Sequence, residues 1–259
     1  MIPDFPAEAA ATKRPRWPAR LVVAASLLLA AGAAFVLTLP DVSRLRAANP
    51  KTTAFIEQRR AKLRQEGRSD RIERIVVPLA AISPWMRRAA ILTEDENFYL
   101  HNGVDWAATK LALETDIGQG RIRIGGSTIT QQLAKNIYLS PSRSPWRKLR
   151  EMAIAAKMES VLPKNRILEL YLNSIEWGER TYGVEAAARR YFGHPASSLT
   201  PRESATLAAM IASPRLFDPR KHPRRLERRT ARILLLLKRV QIPGVPFQVF
   251  PQDGSEGAI

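Results

Sequence analysis

Residues 123–136 read RIGGSTITQQLAKN and bring together a glycine pair, a helix start and a row of amide and ammonium groups. Gly125 and Gly126 open backbone conformations closed to other residues and let a ligand approach closely. Ser127 can cap the helix that follows through its hydroxyl. On that helix Ile129, Leu133 and Ile137 recur at helical spacing and face a core, while Gln132, Lys135 and Asn136 fall on another side. That polar side is suited to holding an anion. An ordinary amphipathic helix with a solvated face explains the same pattern, so the neighbouring blocks decide between the two.

About 30 residues upstream stands a carboxylate run, Glu94-Asp95-Glu96, followed by Asn97, Phe98, Tyr99, Leu100, His101, Asn102 and Gly103. A carboxylate beside another is repelled by it, which can lift a pKa toward the range of a working base. Downstream come Arg147, Lys148, Leu149, Arg150 and Glu151. On a helix Glu151 can meet Arg147 at i,i+4 and Lys148 at i,i+3. Taken alone, these are a solvated acidic helix end and a surface ion pair. A fourth block, Lys164 to Asn173, carries one apolar stripe of Ile167, Tyr171 and Ile175 and another of Leu168 and Leu172, so packing explains most of it. Glu169 and Asn173 are placed to brace a site rather than react.

In order and spacing these blocks resemble the peptidoglycan glycosyltransferase family, whose members polymerise lipid II into glycan strands. A fifth block, Ser198-Leu199 through Pro214 with Glu203, Ala205 and Leu207 in register, continues the resemblance, which covers roughly Trp85 to Pro223. It implies a mainly α, lysozyme-like, two-lobed domain with a head and a membrane-apposed jaw around Trp106 to Ile124. There Trp106, Leu111, Leu113, Ile117, Ile122 and Ile124 are interleaved with Lys110, Arg121 and Arg123, a mixture that fits a lipid interface or ordinary packing equally well.

The implied reaction needs a base for an acceptor hydroxyl and groups that stabilise charge on a departing diphosphate. A diphosphate leaves readily as an anion, whereas a glycosidase expelling an alkoxide normally needs a carboxylic acid beside a second carboxylate. The resemblance makes Glu94 the catalytic base and Glu151 the second essential glutamate, orienting the cations or the sugar. It makes Lys135 and Arg143 the diphosphate-binding cations, with Gln132 as an added amide donor. Lys offers a mobile point charge and Arg a planar fork. Arg143 lies in a loop with Pro141 and Pro145, and its role rests on the resemblance alone. The supporting set is Asp95, Phe98, His101, Gly103, Ser127, Thr128, Gln131, Asn136, Arg147, Lys148, Glu169 and Asn173, with His101 a structural residue. A divalent cation, Mg²⁺ or Mn²⁺, is implied; without a compact metal-ligand motif it must be held partly by the substrate, with Glu94 the conceivable protein ligand. No organic cofactor is expected. A lytic glycosidase of the same fold, with Glu94 and Glu151 as acid and base, is the rival enzyme, and a non-catalytic anchored scaffold is the other alternative.

The elements that must position these residues read as helices. Ser83-Pro84 is an N-cap and first-turn proline ahead of a helix running to Thr93, and Thr200-Pro201-Arg202-Glu203 is a capping box for a helix with Leu207, Met210 and Ile211 inward. Further helices fit Trp146 to Val161, Asn165 to Ile175 and Val184 to Phe192. Strand signals are scarce. Residues 72–79, IERIVVPL, can pair briefly, with Pro78 confining them to an edge.

The 259 residues carry 41 Lys and Arg against 24 Asp and Glu, a net charge of +17, so an anionic partner is expected: a membrane surface, a diphosphate or a nucleic acid. The absence of cysteine excludes disulfides, thiolate metal sites and a cysteine nucleophile. Leu21 to Leu39 holds 19 uncharged residues, which at about 1.5 Å each span roughly 28 Å, enough to cross a bilayer core. Lys13, Arg14, Arg16 and Arg20 precede it, which puts the N-terminus in the cytoplasm and the rest outside. A cleaved signal peptide is the alternative. The expected organisation is a basic tail at 1–20, a transmembrane helix at 21–39, a connector at 40–74, the catalytic domain at 75–240 and a tail at 241–259. Between Arg220 and Arg239 lie nine Lys or Arg and one Glu. Outside the cytoplasm such a stretch suits anionic lipid heads rather than nucleic acid. No acyl-transfer domain is expected after Gly254, so the chain resembles the monofunctional members. The partners implied are lipid II and the growing strand, membrane lipids and other cell-wall synthesis or division proteins, with localisation in the inner membrane and the catalytic domain in the periplasm.

Overall fold

The computed structural model describes residues 19–110, 126–142, 144–214, 217 and 223–239. The chain divides into two units, Met1–Leu39 and Pro40–Ile259. The first contains helix α1, Ala19–Leu37. Its apolar side chains lie open, with Leu28 at 74% and Leu37 at 86% of full exposure. Among the described residues no helix is long and apolar enough to cross a membrane. A helix forms over most of the expected spanning segment, Leu21 to Leu39.

The second unit is mainly helical, with α2 (Ala54–Gln65), α3 (Pro84–Glu94), α4 (Ile129–Tyr138), α5 (Pro145–Val161), α6 (Lys164–Leu172), α7 (Val184–Phe192), α8 (Pro201–Ile211) and α9 (Pro223–Arg239). Three short strands, β1 (Glu73–Arg74), β2 (Glu176–Gly178) and β3 (Thr181–Tyr182), form a sheet in the order β1-β3-β2. β1 runs parallel to β3, and β2 antiparallel to it. The brief pairing expected near Ile72 is β1. The β2–β3 hairpin is too short for a period-2 pattern to register in sequence, and it turns through Arg180 at φ 64°.

Helix boundaries follow local chemistry, with three departures from expectation. Thr128, not Ser127, is the N-cap of α4: its hydroxyl accepts from the Gln131 amide while the Gln131 side chain accepts from the Thr128 amide, a reciprocal capping box. Ser83 does not cap α3, because its hydroxyl donates to the Leu199 carbonyl at 2.7 Å and ties the helix start to the segment before α8. The expected box at Thr200 and Glu203 is present, with Pro201 in the first turn of α8. The helix expected to reach Ile175 stops at Leu172, since the Asn173 side chain exchanges hydrogen bonds with both backbone groups of Val77 and turns the chain toward β2.

Two helical groups frame the domain. In one, α8 packs on α3 and α9; Ala89, Ala90, Ala205, Ala208 and Ala209 are wholly buried, so small side chains let α3 and α8 approach closely. In the other, α4 packs on α5 and α6 over Leu133, Ile154, Ala155, Met158, Ile167 and Leu170, all at 0% exposure. Residues 40–74 are folded onto this second group: Thr53 caps α2, whose buried Ile56 and Leu63 face inward, and α2 packs on α4.

Gly103 is a point of close approach to α5. It holds φ +92°, and a Cβ there would lie 3.1 Å from the backbone carbonyl of Ala155 in α5. Gly103→Ala combines a left-handed backbone with a clash against backbone, and should destabilise the domain by about 1–3 kcal/mol. Denaturant unfolding of the two proteins in the same detergent checks this; an unchanged midpoint contradicts it.

Candidate active site

α3 ends at Glu94, and the next residue, Asp95, is 8% exposed. Its carboxylate takes His101 Nε2 at 2.9 Å and accepts the Ile129 amide at 2.9 Å, the first amide of α4. The Gly103 amide donates to His101 Nδ1 at 3.2 Å, so the imidazole proton is on Nε2 and points at Asp95. Desolvating a carboxylate costs several kcal/mol; hydrogen bonds to a charged group return about 1.5–3 kcal/mol each. The arrangement clamps the end of α3 to the start of α4. Phe98 is wholly buried beside it, with the Lys164 ammonium 4.5 Å from its ring centroid. That ammonium also donates to the His101 carbonyl and to Glu159.

Fixing Asp95 turns Glu94 toward α4. Gln132 Nε2 donates to Glu94 Oε2 at 2.9 Å and to the Ser127 carbonyl at 3.4 Å, while Gln132 Oε1 accepts from the Tyr171 hydroxyl at 3.0 Å. Both amide hydrogens of Gln132 are thus committed to these two oxygens. Burial raises the Glu94 pKa above its ordinary 4.5; the Gln132 hydrogen bond and the charges of Arg229 and Lys135 pull it down, and Asp95 pushes it up. Beside Glu94 opens a cleft of about 250 Å³, lined by Glu94, Asp95, Glu96, Asn97, Asp105 and Gly126 to Thr128 among others.

Glu151 lies in a contrasting environment. It is 2% exposed, ion-paired with Arg147 and with Lys148 at 2.6 Å. Lys148 donates further to Ser127 Oγ at 2.9 Å and to Gln131 Oε1 at 3.3 Å, so its three hydrogens are spent inside the protein. Lys135 differs, having no hydrogen-bond or ion-pair partner among the described residues. Burial lowers its pKa, opposed by Glu151 and Glu94 and reinforced by Arg147 and Lys148, so its ammonium stands among the carboxylates and cations of the site. Asn136 is turned back onto its own helix, donating to the Gln132 carbonyl. Arg143 and most of the segment Trp106 to Ile124 lie outside the described residues.

Glu169 and Asn173 brace. Glu169 accepts the Leu79 amide at 2.7 Å and pairs with Arg166, and the fully buried Asn173 holds Val77. Sequence reasoning missed Arg229. In α9 the buried residues are Leu226, Thr230, Ile233 and Leu237, and Arg229 flanks that stripe, half-buried, whereas Arg224, Arg225, Arg228 and Arg232 are exposed. Its guanidinium lies 5.5 Å from the Phe217 ring and its charge reaches Glu94. The signal was present as the i,i+3 step from Leu226 within an arginine-rich run, where only burial separates one arginine from the rest.

Among the described residues no group of three or more His, Asp and Glu side chains could hold a metal ion. Glu151 is occupied by two cations, and Asp95 by His101 and an amide. These donors do not compose a protein metal site.

The family model described as Transglycosylase matches residues 60–238. The chain belongs to the transglycosylase family. The match spans α3 to α6 and almost all of α9, so every element of the site lies within it. A protein named biosynthetic peptidoglycan transglycosylase from Laribacter hongkongensis is 44% identical over 195 residues, covering 75% of this chain and 86% of its own. One of the same name from Chromobacterium violaceum is 41% identical over 221 residues, covering 84% and 97%. A third, from Aromatoleum aromaticum, is 46% identical over 176 residues, covering 68% and 76%.

The placement of Glu94 makes its titration a test of the site. Carboxyl ¹³C NMR on glutamate-labelled protein, with the Glu94 signal assigned by its loss in Glu94→Gln, should give a midpoint above 4.5. Arg229→Gln removes a charge that favours the ionised form and should move that midpoint higher; an unmoved midpoint would mean that the Arg229 charge does not reach the carboxylate.

Proposed function

We propose that this transglycosylase is a peptidoglycan glycosyltransferase that polymerises lipid II into β-1,4-linked glycan strands and releases undecaprenyl diphosphate. The observation that carries the proposal is the contrast between the two glutamates. Glu94 is desolvated, hydrogen-bonded through Oε2 and open to a cleft, which suits a base that takes the proton of the acceptor 4-hydroxyl. Glu151 is neutralised by Arg147 and Lys148, which suits fixed electrostatic framing rather than proton transfer. A glycosidase needs a second carboxyl group as acid, and a carboxylate held between two cations is poorly suited to that task.

In this reading Lys135, with Arg143 from the following loop, takes the diphosphate of the donor strand. Attack on the α-linked donor carbon then gives a β linkage with inversion. Gln132 is spent on Glu94, so its part is to hold the base rather than the diphosphate. A divalent cation, Mg²⁺ or Mn²⁺, would enter with the diphosphate, whose oxygens supply most of its ligands; the proton transfer at Glu94 does not depend on it. The described helical unit corresponds to the head lobe of a lysozyme-like fold. We assign α1 and the two residues after it, Thr38 and Leu39, to a single-pass inner-membrane anchor, with the N-terminus cytoplasmic and the catalytic unit periplasmic. The uncharged run and its open leucines support the anchor, and the four basic residues ahead of it support the orientation. Membrane lipids and other cell-wall synthesis or division proteins are the further partners this placement allows.

With labelled lipid II and the detergent-solubilised protein in Mg²⁺, Glu94→Gln should lower polymerisation by about 10²–10⁴-fold. Lys135→Ala should lower kcat/KM by about 10²–10³-fold. Full activity in Glu94→Gln, or release of soluble fragments from finished cell-wall polymer by the wild type, sinks the assignment. Separately, alkaline carbonate extraction of membranes should leave the protein in the pellet; its recovery in the supernatant contradicts the anchor.

A further inference from the structure

Tyr171 is wholly buried in α6, where a phenylalanine would fill the same space without a hydroxyl to satisfy. That hydroxyl bonds Gln132 Oε1 at 3.0 Å, and Gln132 Nε2 bonds Glu94 Oε2 at 2.9 Å. A carboxamide has two ends that differ only in being donor or acceptor. Turned as it is, Gln132 gives both hydrogens to oxygens, Glu94 Oε2 and the Ser127 carbonyl, and receives the phenol hydrogen at the other end. Flipped, it would set its oxygen against a carboxylate and a carbonyl.

We propose that Tyr171 is a positioning residue for the general base: by donating to Gln132 Oε1 it holds the Gln132 amide with its NH₂ toward Glu94 throughout the catalytic cycle. The inference rests on Glu94 being the base. When Glu94 is ionised it accepts only, and the NH₂ orientation is favoured by the carboxylate itself. Once Glu94 has taken the acceptor proton, its O–H could donate to a flipped amide, which would stabilise the protonated acid. The Tyr171 hydroxyl opposes that flip, because Gln132 Oε1 is the acceptor its buried hydrogen has among the described residues and the flip would take it away, and so favours return of the base to its ionised state. For this it must stay a neutral donor, and burial together with the charges of Glu94 and Asp95 keeps the phenol pKa well above its usual value. The other charges facing Glu94 are Lys135 from α4, Arg229 from α9 and Asp95 in its own segment; none of them fixes the amide.

Tyr171→Phe in the full-length detergent-solubilised protein tests this, because it keeps the ring and removes only the donor. The expected result is a threefold to tenfold fall in kcat, roughly the value of one buried neutral hydrogen bond, with KM for lipid II unchanged. The acid limb of kcat should move to higher pH. In a Gln132→Met background the same change should have no further effect, since the amide that Tyr171 orients is gone. Wild-type kcat and pH profile in Tyr171→Phe, or an equal loss in the Gln132→Met background, overturns the inference and leaves Tyr171 a packing residue. Should Tyr171→Phe fail to fold, 4-fluorophenylalanine at position 171, which fills the hydroxyl's space without a donor, decides: a wild-type pH profile there overturns the inference equally, and a shifted acid limb supports it. Activity retained in Glu94→Gln would instead refute the base assignment, so the two failures are distinguishable.

Discussion

The domain depends on one buried carboxylate. Asp95 sits where α3 ends and binds two things that sequence places far from it in different ways, the imidazole of His101 six residues on and the first amide of α4, 34 residues on. A carboxylate buried this deeply would be strongly unfavourable without such donors, so the folded state requires the loop and the second helix to be where they are. Gly103 completes the joint: its amide fixes the imidazole tautomer, and its carbonyl accepts the Thr128 hydroxyl at 2.6 Å, the same hydroxyl that caps α4. The catalytic candidate is the residue next to this clamp. Glu94 cannot swing far while Asp95 is held, and α4 presents Gln132 and Lys135 to it from the opposite wall.

Given that frame, the two glutamates acquire opposite characters from their surroundings rather than from their own chemistry. Glu151 has two cations one helical turn back along α5, so its negative charge is matched inside the protein. Glu94 has burial, one amide and only distant cations, so its ionised form is less well supported and its proton affinity is higher. The two carboxylates of the site therefore differ in their partners: Glu151 lies between two cations, and Glu94 accepts one amide hydrogen beside the cleft. The cations divide in the same way. Lys148 is saturated by Glu151, Ser127 and Gln131, whereas the Lys135 ammonium has no hydrogen-bond or ion-pair partner among the described residues.

Much of this was legible in the residues. The helix periods placed α3 to α8 because their apolar stripes are long enough to be counted: Ile129, Leu133 and Ile137 are buried as the spacing requires, and α7 runs from Val184 to Phe192 as read. The i,i+3 and i,i+4 pairing of Lys148 and Arg147 with Glu151 follows from helix geometry alone. What failed turned on local competition between near-equal hydrogen-bonding options. Ser127 and Thr128 are both competent caps, and the choice of Thr128 was made by Gly103, whose carbonyl takes the Thr128 hydrogen. Ser83 looked like a cap because it precedes a proline, but a carbonyl 116 residues away in sequence claims its hydroxyl. Gln132 lies on the polar helix face as read, and there Glu94 and the Ser127 carbonyl take its amide hydrogens. In each case the deciding partner is remote along the chain and close in space.

The arginine-rich C-terminal helix shows the same limit most sharply. Read as composition, residues 220–239 are a cationic stretch suited to anionic headgroups. Folded, α9 is a helix whose stripe of Leu226, Thr230, Ile233 and Leu237 docks on α8 and α3, and docking sorts the arginines. Arg224, Arg225, Arg228 and Arg232 stay in solvent, where screening makes their pairwise effects small. Arg229 is carried to the edge of the packed face, where the lower effective dielectric lets a charge act over a longer distance, and it is the member of the run that Glu94 senses. The electrostatics of Glu94 are therefore set in part by a helix more than 130 residues away in sequence. The hydrophobic contact that seats α9 is also what places that charge, so packing and proton affinity at Glu94 are not separable properties of this domain.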